Sequence, residues 1–219
     1  MTDRFYWLVT TLGPATFFQH TRLILPTPRF FPTGLLGDEV RPSPMFDEIR
    51  AHLGVNHWPV RLVELGTTGR RRKGHAVAGS FHDGGAGPAT ITYHPRLKGR
   101  PGAFIGTLAH ELSHYILAPH VETAPGGEAE HEELTDLAVI YAGFGLIDLE
   151  AGAGPRGPGY LSQPVRAYAL ATFLRLKGID PAVTAPFLSR RPKAHLDRAL
   201  RLRDARQDEL VLLRGMDNR

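Results

Sequence analysis

The chain has 219 residues, 42% hydrophobic and 22% charged, which is ordinary globular usage and excludes wholesale disorder. It has no cysteine, so disulfides, thiolate metal sites and cysteine nucleophiles are ruled out, and it has no apolar run of about 18 residues that could cross a membrane as a helix. The net charge of +4 is uneven: residues 101–150 carry nine Asp/Glu and no Lys or Arg, which suits a site that must hold a cation.

In chain order, the apolar start from Phe5 to Phe18 reads as a structural part of a cytoplasmic protein. Asp3 offsets Arg4, Gly13-Pro14 interrupts the run, and no small-x-small cleavage site follows. Pro26, Pro28, Pro32, Pro42 and Pro44 then divide the first third into short pieces. Thr21 to Leu25 predicts a strand, and Met45 to Leu53 a short helix ended by Gly54. Val60 to Leu65, His75 to Phe81 and Ala89 to Tyr93 predict three further strands joined by glycine-bearing turns.

From Pro101 the apolar period becomes helical: Phe104, Ile105, Leu108, Leu112, Tyr115 and Ile116 predict an amphipathic helix that stops before Pro119. Leu134, Leu137, Ala138, Tyr141 and Phe144 predict a second helix ending at Gly145. A Gly/Pro-rich linker over 152–159 leads to helices near 163–177 and 193–206. The C-terminal series Arg198, Arg201, Arg203 and Arg206 mixes with Asp197, Asp204 and Asp208 as on an exposed helix face.

The chemistry lies on the first long helix, in His110-Glu111-Leu112-Ser113-His114. Residues four apart on a helix share one face, so both imidazoles can converge on one ion, with Glu111 beside them to reach a water. Zinc suits two neutral imidazoles and a carboxylate, with the fourth position left for that water. The carboxylate is expected on the next helix, where Glu132 and Asp136 again stand four apart; His131, Glu133 and Asp136 are the other candidates for third ligand. One carboxylate would bind the metal while the other accepts the ring N–H of a ligand histidine.

H-E-x-x-H followed by E-x-x-x-D resembles the glutamate-zincin metallopeptidases. The resemblance implies His110, His114 and Glu132 as zinc ligands, Glu111 as general base and Asp136 as the group that orients a ligand histidine. It also implies an edge strand beside the active helix, here Ala89 to Tyr93, that pairs with a protein or peptide substrate. A tyrosine stabilising the oxyanion would be Tyr160 or Tyr168. The chain is similar, too, to a group of bacterial proteins with an H-E-L-x-H helix and a downstream H-E-x-L-T-D segment, here His131 to Asp136.

The expected fold is a single α+β zincin-like domain, 1–219, with a small twisted mixed sheet packed on the H-E-x-x-H helix and a helical C-terminal part. Within it, 1–100 would be mainly loops and strands, 101–147 the metal-binding helices and 160–219 the C-terminal helices. The expected activity is zinc-dependent peptide hydrolysis, with an inactive or regulatory zinc-binding module as the alternative. Arg70–Lys73, at a predicted hairpin tip, could touch nucleic acid, although a solvated tip explains it better. Glu122, Glu128, Glu130 and Glu133 are expected to give the cleft an acidic rim that favours cationic chains.

Overall fold

The computed structural model describes residues 1–37, 39–66, 79–82, 88–153 and 159–215. The chain begins as a helix, α1 (Thr2–Leu12), followed by a π-turn at Thr16–His20. Phe5, Leu8, Val9 and Phe17 are buried there, so the apolar start is core. Thr21 to Leu25 is extended but forms no strand, correcting the expectation. Its burial comes from packing across a helix kink, where the Ile24 N–H donates to the Gly143 carbonyl at 2.9 Å. A minimal antiparallel pair follows, β1 (Leu35–Leu36) with β2 (Glu39–Val40).

Helix α2 (Pro42–His52) starts earlier than its apolar pattern, because prolines fit a first helical turn whose N–H groups lack partners in any case. The main sheet comprises β3 (Val60–Glu64), β4 (Gly79–His82) and β5 (Ala89–Tyr93), in the order β3-β5-β4. β3 runs parallel to β5 and β4 antiparallel to it, so the sheet is mixed as expected. β5, however, is the central strand and cannot receive a substrate backbone, which corrects the edge-strand expectation. Alternation reports which face of a strand is buried, and says nothing about whether both its edges are occupied.

Helix α3 (Pro101–Leu117) opens with proline and stops where Pro119 removes the next N–H; the chain continues as a 3₁₀ turn, Ala118–Thr123. All residues from Ala103 to Ser113 are buried, so α3 is enclosed rather than amphipathic. Helix α4 (His131–Val139) packs against it and passes through a π-turn, Ile140–Phe144, into α5 (Gly145–Ala151). The second predicted helix is therefore broken rather than ended. Gly143 has φ +94°, and a Cβ there would collide with the Arg22 carbonyl, so only glycine lets the N-terminal segment cross so closely.

Helices α6 (Gln163–Leu176), α7 (Arg190–Asp204) and the unpredicted α8 (Gln207–Arg214) complete the chain. Arg203 is buried rather than exposed, and its guanidinium donates to the Tyr168 hydroxyl at 2.9 Å. Two apolar clusters form. One lies among α1, α4, α6 and α7, the other among α2, α3 and the sheet. The pair α3–α4 contributes to both: Leu117 and Leu137 to the first, Leu108, Leu112 and Val139 to the second. Each such fully buried leucine contributes about 1.5–3 kcal/mol, which makes this pair a stiff mount. The missing Lys and Arg of 101–150 also have a packing cause, since α3 is enclosed over 103–113 and α4 over 134–139. Among the described residues, no helix is long and apolar enough to cross a membrane.

Candidate metal centre

Three atoms converge between α3 and α4. His110 Nε2 and His114 Nε2 lie 3.1 Å apart, and Glu132 Oε2 lies 3.3 Å from the first and 3.2 Å from the second. Zinc bound tetrahedrally at 2.0–2.2 Å has ligand atoms about 3.3–3.5 Å apart, so a shift of a few tenths of an ångström would seat an ion on this triangle. Two imidazoles and one carboxylate also form the donor set zinc takes when a position is left open for water. Among the described residues, these three are the group whose ligand atoms lie close enough together to hold a metal.

The remaining ring nitrogens are held in turn. His110 Nδ1 lies 2.8 Å from Asp136 Oδ1, and the carboxylate can only accept, so the ring donates from Nδ1 and turns Nε2 to the triangle. His114 Nδ1 faces His131 Nε2 at 3.1 Å and Thr135 Oγ1 at 3.3 Å. Thr135 gives its own proton to the His131 carbonyl, which leaves its oxygen free to accept from His114.

The other third-ligand candidates are engaged elsewhere: His131 on His114, Asp136 on His110, and Glu133 with Arg4 at 2.8 Å. Arg4 also pairs with Glu130, so a cation from α1 reaches the acidic link; among the described residues, Glu122 and Glu128 are the part of the expected rim without an ion pair. Glu111 is buried in α3 beside His110, and its charge helps hold the proton on that ring.

Asp136 also anchors a loop. Its Oδ2 accepts from the backbone N–H of Tyr160 at 2.6 Å and of Leu161 at 2.7 Å, and from Arg166 Nη2 at 3.1 Å. Tyr160 is thereby set with its ring stacked on His110, centroids 6.1 Å apart, while 63% exposed to solvent. Tyr168 takes its place in the packing of α6 on α7, through Arg203. Arg70–Lys73 lie outside the described residues. Sequence reasoning missed Thr135, His131 as a partner of His114, and Arg166. The threonine within His131-Glu132-Glu133-Leu134-Thr135-Asp136 was the available signal, being the one hydroxyl among the acids.

Charges follow from these contacts. Hydrogen bonds from His110 and His114 hold the Glu132 carboxyl well below the usual range. Burial opposes an ionised Asp136, but the His110 hydrogen bond and the Arg166 charge outweigh it and lower its pKa. Burial, together with the adjacent His114, pushes the His131 ring down. For His110, burial again disfavours charge, yet Asp136 and Glu132 prevail and push its pKa up to about 10.

An incoming ion must therefore displace a proton from His110, while Glu132 is already ionised and adds no pH dependence. Apparent affinity should weaken tenfold for each pH unit below that value, making zinc bind about 100-fold more tightly at pH 8 than at pH 6. Competition against a chelator of known proton affinity checks this; a flat profile would show that His110 gives up no proton when the ion binds.

Comparison of the chain with known protein families, with characterised proteins and with solved structures gives no match.

Proposed function

We propose that this chain is a zinc-dependent metallopeptidase of the zincin kind. The observation that carries the reading is the triangle of His110, His114 and Glu132, backed by Asp136 on the rear nitrogen of His110. When bound, the ion supplies a Lewis acid that acidifies water and polarises a carbonyl. His110, His114 and Glu132 hold it; Asp136 keeps the His110 ring turned. Glu111 takes the proton of the attacking water and returns it to the departing amine nitrogen, so no net proton leaves the site. Tyr160, exposed with its ring stacked on His110, is the residue this reading assigns to hydrogen-bond the oxygen of a peptide undergoing attack.

The test is a peptide-library digest with the purified chain, run as isolated, after chelation, and after zinc is returned. Expected are one zinc per chain, cleavage that stops on chelation and returns with zinc, and a weak preference for Lys or Arg near the cut that fades at high salt. One zinc with no cleavage of any library member would assign a zinc-binding module instead. Absence of tight zinc binding would overturn both.

A further inference from the structure

We propose that Arg166, held by Asp148, is a positioning residue for the metal centre: it fixes the carboxylate that orients His110 and so sets how tightly the site holds its ion. The inference rests on the metal-centre reading. It begins from an unusual placement, because the Arg166 guanidinium is almost fully buried, with 1% of the residue exposed. Such burial is costly unless the fork is fully bonded, and an apolar side chain of similar volume would fill the space at lower cost.

The described bonds of that fork join the site to α5. Nη2 donates to Asp136 Oδ2 at 3.1 Å, Nε to the Leu161 carbonyl at 2.9 Å, and Nη1 to the Asp148 carbonyl at 3.2 Å and to the Asp148 carboxylate. The Leu161 peptide closes a ring, since its N–H binds the same Asp136 oxygen that Arg166 binds. With three donors on Oδ2 and the His110 ring on Oδ1, the Asp136 carboxylate cannot rotate. The result is a chain of contacts from α5 through α6 and α4 to α3: Asp148, Arg166, Asp136, His110. The surrounding backbone is shaped to the guanidinium. Gly159 has φ +85°, and a Cβ there would strike both Arg166 and Asp136; one at Gly152 would lie 3.3 Å from Arg166 Nη1.

Groups that orient a metal-binding histidine typically change metal affinity 10–100-fold when altered. A merely structural ion pair would lower stability and leave the affinity of the folded chain untouched. The experiment measures zinc affinity by chelator competition and the visible spectrum of the cobalt-loaded chain, in wild type and in Arg166→Met/Asp148→Asn, which removes both charges together. Folding is checked by thermal melting. Expected is a folded double variant that binds zinc about 10–100-fold more weakly, with a shifted cobalt spectrum.

Should that variant not fold, Arg166→Lys decides. It keeps the charge but cannot bridge Asp136, Asp148 and Leu161 at once, and should bind zinc about tenfold more weakly. Wild-type zinc affinity and an unchanged cobalt spectrum in a folded variant would overturn the inference and leave the metal centre standing. Failure of the wild-type chain to bind zinc would overturn both.

Discussion

Alanine at His110 or at His114 is expected to strip the chain of tightly held zinc, and alanine at Glu132 to weaken binding strongly. Structural zinc sites bind with about 10–16 kcal/mol; sharing the lower end among three protein ligands gives about 3–4 kcal/mol each, or roughly a 10²–10³-fold loss per deletion. The fold should survive His110→Ala, because Asp136 retains Arg166 and two backbone N–H donors. The contrast lies with the neighbours. His131→Ala and Glu133→Ala should keep stoichiometric zinc, since those side chains contact His114 and Arg4 rather than the triangle. Metal content and competition titration of the five variants check this. Full zinc in all three ligand variants would overturn the assignment.

Glu111→Gln should retain the metal and lose hydrolysis. The substitution preserves shape at a buried position but removes the base, and a positioned general base contributes about 10²–10⁴-fold. Because Glu111 is outside the ligand triangle, zinc affinity should stay close to wild type. Its charge helps hold the proton on His110, so the pH at which zinc is lost should, if anything, fall slightly. The measurement is kcat on a cleaved peptide with zinc quantified in the same sample. Unchanged turnover at full occupancy would exclude Glu111 from the chemistry.

The elements that mount the site were legible because their signals are local. Pro101 and Pro119 bracket α3, and both motifs place side chains at helical spacing on consecutive helices. The three strands were legible from composition, although the second is described only as Gly79–His82, since 75–78 of the expected His75–Phe81 lie outside the described residues. Their order was hidden: in β3-β5-β4 the chain passes β5 before filling it, a long-range pairing that no local pattern encodes. Thr21 to Leu25 has strand composition, but its partner is a helix carbonyl exposed by the Gly143 kink. Arg166 and Arg203 escaped because arginine is ordinarily a surface residue, and burial here depends on acceptors supplied by distant segments. The anchoring of Tyr160 was illegible for a simpler reason: the donors are backbone N–H groups, which every non-proline residue possesses.

That anchoring has a consequence for motion. Tyr160 is 63% exposed, in a segment that looks solvent-facing, yet its amide hydrogen and that of Leu161 end on a carboxylate that is itself 1% exposed. Those two amides are shielded while they hold Asp136, the same carboxylate that holds His110 and Arg166. The two amides should therefore exchange more slowly than the exposure of their segment alone would give, which ties the order of this surface loop to the carboxylate behind the ligand triangle.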